Sequence, residues 1–151
     1  MLDPFVLGAV LARDIRYLAK AELWSSRALA RVLDDLGAIP VARGRGDREA
    51  IAAAVAALGN GEVVGVFPEG GVRRAGPWHR GAARMALLTG ASVLPVRLLA
   101  VERALGVGVP GRPRIGVLVG HPVEVAPSVP TIAAARALTD RLRAEVFALG
   151  A

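Results

Sequence analysis

The chain has 151 residues, a formal net charge of +6 and a hydrophobic fraction of 54%. This length suits one domain with a sizeable core, and the apolar content argues against a disordered chain. Cysteine is absent, which excludes disulfides and thiolate metal sites. The apolar segment 4–12 is too short for a membrane span and lacks a signal peptide's basic start, so neither element is predicted.

The basic charge is carried almost entirely by arginine, because Lys20 is the only lysine. Such a surface suits anions: phosphate, anionic lipid headgroups or nucleic acid. The arginines are spread along the chain, without a dense basic run interleaved with aromatic residues. Nucleic acid is therefore the weaker choice of partner.

Helical and extended patterns alternate along the chain. Asp3 and Pro4 have the residue types of an N-cap and a first helical position. Gly37 is typical of a helix end, and Thr131 of a helix start. The predicted helices cover residues 5–11, 23–36, 48–58, part of 77–89 and a last amphipathic stretch after 131; the predicted strands cover 16–20, 38–41, 62–67, 92–99 and 114–119. This order predicts a single α/β domain with a mostly parallel central sheet flanked by helices.

The strand 62–67 ends at the sequence Phe-Pro-Glu-Gly, residues 67–70. Ligands of α/β folds bind at the ends of strands, where a carboxylate and a glycine turn can meet them. Taken alone, Glu69 is more simply a solvated loop residue. The turn formed by Gly70 and the following residues, with Arg73 close behind, is also suited to an anion.

Three other positions have the same double interpretation. Asp3 alone is an N-cap. Arg43 follows the short strand 38–41, where it is either a surface residue or a phosphate clamp. Pro95 interrupts a strand, which indicates a bulge or an edge. Most of these signals fall at strand ends or helix starts, where one pocket can gather them.

In chain order these segments resemble the 1-acylglycerol-3-phosphate O-acyltransferase family, the PlsC-like glycerolipid acyltransferases. The matching segments are Asp-Pro at 3–4, Gly-Ala-Ile-Pro-Val-Ala-Arg at 37–43, Phe-Pro-Glu-Gly at 67–70 and Val-Leu-Pro-Val at 93–96. The resemblance covers nearly the whole chain. It implies a glycerolipid acyltransferase-like fold over residues 1–151 and a role in phospholipid biosynthesis.

The resemblance also implies a mechanism and a set of partners. A histidine in a His-x4-Asp motif acts as general base on a glycerol hydroxyl, which attacks the thioester of acyl-CoA or acyl carrier protein. Asp3 would orient that histidine, whereas Arg43, Glu69, Gly70 and the displaced Arg73 would hold the lysophospholipid and its phosphate. Neither a metal nor a cofactor is implied beyond the acyl donor as co-substrate. The implied location is peripheral, at the cytoplasmic face of a membrane.

The chain departs from the family pattern at two points. The histidine is expected five positions before Asp3, ahead of Met1, and the two histidines present, His79 and His121, match neither that position nor its role. Gly71 and the valine after it stand where the family has Thr-Arg. We therefore expect an acyltransferase domain that lacks its N-terminal segment, through truncation or a misplaced start codon, and that has little activity.

Two alternatives to an acyltransferase stay open at this stage. One is a non-catalytic lipid- or phosphate-binding protein that keeps the fold without the base. The other, a nucleotide-binding α/β domain, is weaker because the sequence contains neither Gly-x4-Gly-Lys nor Gly-x-Gly-x2-Gly.

Overall fold

The computed structural model describes residues 3–10, 13–42, 48–69, 77–99 and 115–150. Five helices and five strands alternate through these ranges, together with one 3-10 helix. In chain order they are α1 (Asp3–Val10), β1 (Ile15–Lys20), the 3-10 helix (Ala21–Ser25), α2 (Arg27–Asp35), β2 (Ile39–Val41), α3 (Arg48–Gly59), β3 (Val63–Gly65), α4 (Gly81–Thr89), β4 (Val96–Leu99), β5 (Gly116–Val119) and α5 (Ile132–Ala148).

The first three strands form a parallel sheet in the order β2-β1-β3. Leu18 of β1 lies opposite Ile39 of β2, and Tyr17 of β1 lies opposite Gly65 of β3. Helices connect these strands, as parallel pairing requires. The predicted α/β architecture with a parallel sheet is therefore confirmed.

The last two strands form a separate antiparallel pair, with Val96 opposite Val119. The predicted strand 92–99 is only half realised, since β4 begins at Val96 and residue 93 makes an isolated bridge to Val123. Pro95 stands between the two parts. It has no N–H to give to a ladder, but its carbonyl accepts a hydrogen bond from the Gly120 amide at 2.9 Å.

Two hydrophobic clusters share helix α4. The sheet cluster joins β2, α3 and α4 through buried side chains of Ile39, Ala50, Ala54 and Met85. The helix cluster joins α4 to α5 through buried side chains of Ala83, Ala86, Leu87, Val123, Ala135, Leu138 and Leu142. Met85 of α4 therefore packs in the sheet cluster, whereas Ala83, Ala86 and Leu87 pack in the helix cluster. Helix α4 thus connects the parallel sheet to the last helix.

Helix ends follow the predicted signals closely, but one predicted helix is divided in two. Gly37 has a left-handed φ of +58°, and the Thr131 side chain accepts a hydrogen bond from the Ala134 amide at 3.1 Å. The predicted helix 23–36 is divided, because residues 21–25 form a 3-10 helix before α2 begins at Arg27. On α4, Leu88 is 46% exposed, whereas Leu87 is buried.

Among the described residues, no helix has both the length and the apolar character that crossing a membrane demands.

Candidate active site

The candidate site begins where β3 ends. The chain leaves Gly65, passes through Val66, Phe67 and Pro68, and enters a turn that includes the half-buried Glu69. The backbone amide of His79 donates to the Pro68 carbonyl at 2.8 Å, which fixes this turn against the approach to α4. Because β1, β2 and β3 run parallel, the turn lies at the end of the sheet where the carboxyl ends of all three strands meet.

Tyr17 connects this turn to helix α1. The tyrosine is 6% exposed, and its ring stacks on Phe67 with centroids 5.9 Å apart and planes 16° apart. Its hydroxyl donates a hydrogen bond to the Pro4 carbonyl at 3.2 Å. One side chain therefore touches both the first turn of α1 and the segment after β3.

Burial raises the pKa of the Tyr17 phenol above its ordinary value. The hydroxyl thus keeps its proton throughout the physiological range. It is available as the donor that the Pro4 carbonyl needs, since a carbonyl can only accept.

The neighbouring strand makes room for the ring with a glycine. A Cβ built on Gly65 would overlap the Tyr17 ring and would lie 2.9 Å from Ile15 Cγ2. Real Cβ atoms do not approach other carbons this closely. The missing side chain at residue 65 is therefore what lets Tyr17 lie flat between β3 and Phe67.

The structure locates two of the five predicted site residues. Asp3 is the first residue of α1, next to the proline whose carbonyl binds Tyr17. Glu69 lies in the turn after β3. The other three, Arg43, Gly70 and Arg73, lie outside the described residues. The roles assigned to all five stay predictions.

The sequence pattern predicts that Tyr17 lies in a strand and gives it no part in the site. Two signals were available. Tyr17 is the only tyrosine in the chain, and Gly65 interrupts a run that is otherwise β-branched or aromatic. A glycine inside a strand often marks a close approach by another group, and here that group is the tyrosine ring.

The opposite end of the sheet holds an open cavity whose lining includes Arg13, Arg16 and Glu62. Three of its four charged side chains, Arg13, Arg16 and Glu62, have structural partners. Arg16 donates to the Gly37 carbonyl at 2.8 Å and to the Glu62 carboxylate at 3.1 Å, and Arg13 donates to the Gly61 carbonyl at 3.2 Å. These contacts join the start of β1 to the turns before β2 and β3, and they need no ligand to account for them.

Comparison with known proteins gives two relatives of the same description. The chain is 32% identical over 96 residues to the 1-acyl-sn-glycerol-3-phosphate acyltransferase of Bacillus subtilis, an alignment covering 62% of this chain and 48% of the relative. It is 38% identical over 103 residues to the 1-acyl-sn-glycerol-3-phosphate acyltransferase of Borreliella burgdorferi, covering 64% of this chain and 41% of the relative. The matched part is thus less than half the length of either relative.

No solved structure matches the chain significantly. The sequence model of the Acyltransferase family, however, matches residues 1–99. That stretch includes α1, the whole parallel sheet, the turn after β3 and helix α4. By this match, and in agreement with both relatives, the chain belongs to the acyltransferase family.

Proposed function

We propose that the chain supplies the catalytic domain for transfer of a fatty acyl group from acyl-CoA or acyl carrier protein to a lysophospholipid such as lysophosphatidate. One observation carries the proposal. Tyr17 brings the start of α1, where Asp3 lies, to the segment 66–69 that ends at Glu69. These are the two segments that such a reaction needs in one place: one for proton transfer and one for the acceptor.

The chemistry divides between the two segments. A histidine five positions before Asp3 removes the proton from the glycerol hydroxyl as its oxygen attacks the thioester carbonyl. The new ester forms as the carbon–sulfur bond breaks, and the same imidazole returns the proton to the departing thiolate. Asp3 orients the ring and stabilises its positive charge during the transfer.

The acceptor lies against the other segment. Glu69 and Gly70 contact the glycerol portion, whereas Arg43 and Arg73 bind the phosphate, for which the planar guanidinium is well suited. The separation of these tasks has a kinetic consequence. Changes at the start of α1 act on the chemical step, and changes in the turn act on acceptor binding.

The 151-residue polypeptide alone is a poor catalyst under this proposal. Neither of its histidines stands in a His-x4-Asp motif, and general acid–base catalysis typically contributes about 10²–10⁴-fold. His79 lies beside the turn, but its described contact is a backbone hydrogen bond to Pro68.

The test supplies a histidine at the proposed position of the general base. Placing Asn-His-Ala-Ser directly before Met1 puts a histidine five positions ahead of Asp3, and Asn-Ala-Ala-Ser is the matched control. With lysophosphatidate and acyl-CoA, we expect the histidine-extended chain to turn over at least about 100-fold faster than the control. Equal rates in both would contradict the proposed mechanism. Binding of lysophosphatidate without turnover by either chain would instead identify a non-catalytic lipid-binding protein.

We also propose that the domain works peripherally, at the cytoplasmic face of a membrane. Its net charge of +6, carried by spread arginines, favours contact with anionic headgroups. Sedimentation with vesicles tests this directly. The protein should pellet with phosphatidylglycerol vesicles at low salt but not at high salt, because salt screens the attraction. It should remain in solution with phosphatidylcholine vesicles, because their headgroups carry no net charge.

A further inference from the structure

Helix α1 is short for a segment that must hold a catalytic group in place. It has eight residues, and isolated helices of this length are marginal in water. Its position must therefore come from contacts with the rest of the fold. The hydrogen bond from Tyr17 to Pro4 is such a contact, and it acts one residue from Asp3.

The same tyrosine has a second contact of a different kind. Its ring packs on Phe67, two residues before Glu69, in a nearly parallel stack. The hydroxyl and the ring face of Tyr17 thus meet different segments. A substitution can remove either contact and leave the other in place.

We propose that Tyr17 is a positioning residue for acyl transfer: its hydroxyl sets the place of α1 relative to the turn that holds the acceptor. This inference rests on the proposed function. Tyr17 needs no contact with either substrate to act in this way. It works through α1 on the chemical step, while the stacked Phe67 works through the turn on acceptor binding.

The position of Tyr17 in the sheet supports separate roles for its hydroxyl and for its stacked ring. Tyr17 belongs to β1, the middle strand of the parallel sheet, which has neighbours on both sides. Gly65 of β3 leaves space for the ring, so the ring is held between a fixed strand and Phe67. The hydroxyl is therefore a fixed point in the fold, and α1 is the element that it holds.

The first test compares Tyr17→Phe with Phe67→Leu in the histidine-extended chain. Tyr17→Phe keeps the stacked ring and loses the hydroxyl. We expect a roughly tenfold fall in kcat with little change in the KM for lysophosphatidate, which is less than the ~100-fold that a misplacement of about 1 Å can cost. Phe67→Leu should show the opposite pattern, with a raised KM.

Trp24→Phe is the matched control. It also removes one hydrogen bond from an aromatic side chain, the 2.8 Å bond from Trp24 Nε1 to Asp34, but at the 3-10 helix and α2. We expect its kcat and KM to be unchanged. A fall in kcat equal to that of Tyr17→Phe would mean that general loosening, rather than the placement of α1, lowers the rate.

A double-substitution cycle tests whether Tyr17 acts through Asp3. In an Asp3→Asn background, Tyr17→Phe should have almost no further effect on kcat, because the group that it positions is already lost. A full additional tenfold fall would overturn the proposal. If the histidine-extended parent itself has no activity, the proposed function fails rather than this inference.

Hydrogen exchange tests whether the Tyr17 hydroxyl holds α1 in place, without any assay of activity. In Tyr17→Phe the amides of α1 should exchange several-fold faster, whereas those of α3 should be unchanged. Trp24→Phe should leave α1 as it is. Unchanged exchange in α1 of Tyr17→Phe would overturn the proposal whatever the enzyme does.

Discussion

The two hydrophobic clusters of this domain differ in the elements that they join and in what they support. The sheet cluster, around Ile39 and Met85, contains two buried alanines of α3 and lies under the strands that lead to the candidate site. The helix cluster joins α4 to α5 through Leu87, Leu138 and Leu142, together with three buried alanines. The family match ends at residue 99, before α5 begins.

The two regions therefore have different roles: the contacts around Tyr17 position α1 and the turn, whereas the helix cluster stabilises the fold. In the sheet, Gly65 allows the close approach of the Tyr17 ring, and the contacts of Tyr17 with Pro4 and Phe67 connect α1 to the turn. The buried leucines of the helix cluster remove apolar surface from water and thereby contribute to the free energy of folding. We therefore expect substitutions in the two regions to have different signatures.

The largest expected loss of stability comes from Leu142→Ala in the helix cluster. Leu142 is 5% exposed, and such truncations cost about 2–5 kcal/mol. Chemical denaturation should show the loss, while kcat and KM of the histidine-extended chain stay near their parent values at a temperature where the variant is folded. A large change in KM at full folding would mean that the helix cluster also shapes the site.

Gly65→Ala should lower both stability and activity. The added methyl group overlaps the Tyr17 ring, and overpacking of this kind costs about 1–3 kcal/mol. Displacing the ring disturbs both its stack on Phe67 and the hydroxyl that donates to Pro4, so kcat should fall as well.

Gly59→Ala is the control for that substitution. Gly59 ends α3, its φ is not in the left-handed region, and a Cβ there would meet nothing within 4 Å. It should leave the melting temperature and the kinetics close to those of the parent. Equal effects at residues 59 and 65 would contradict the importance of the space beside Tyr17.

Thr131→Ala should cost about 1 kcal/mol, because it removes the side-chain acceptor for the Ala134 amide at the start of α5. Thr131→Ser keeps the hydroxyl and should restore most of that loss. Neither substitution should affect the kinetics, since the cap lies in the region that supports stability. A serine variant as unstable as the alanine variant would rule out the cap as the cause.

The smallest expected effect is at the pair Arg16–Glu62. Its side chains are 37% and 38% exposed, so solvent screens the attraction and the pair contributes at most about 1 kcal/mol. Glu62→Gln should therefore lower stability slightly at low salt, and the difference from the parent should shrink at high salt. A large loss that salt does not change would indicate a buried network instead.

Much of the fold follows from the sequence because its signals are local. Gly37 and Thr131 mark helix ends through backbone conformation and capping, which need no tertiary information. The buried side of α4 cannot be predicted from the sequence in the same way. Two different clusters contact this helix, so its buried positions do not recur with a single helical period. Leu88 directly follows three buried positions, but it lies one turn after the exposed Arg84 and is itself exposed.

The site follows from the sequence only in part. Asp3 and Glu69 belong to motifs 66 positions apart, and no local signal indicates that their segments meet. The meeting depends on Tyr17, whose hydroxyl contacts Pro4 in α1 and whose ring contacts Phe67 after β3. Long-range contacts of this kind depend on strand order, which motif spacing does not contain.

The central claim is that one segment carries out proton transfer and the other holds the acceptor. Steady-state kinetics of Asp3→Asn and Glu69→Gln in the histidine-extended chain test it most directly. Asp3→Asn should lower kcat by about 100-fold or more with a nearly constant KM for lysophosphatidate, since the imidazole loses its orienting carboxylate. Glu69→Gln should raise that KM roughly tenfold with a smaller change in kcat. If both substitutions alter the same kinetic constant by similar factors, the division of the site into two halves is wrong.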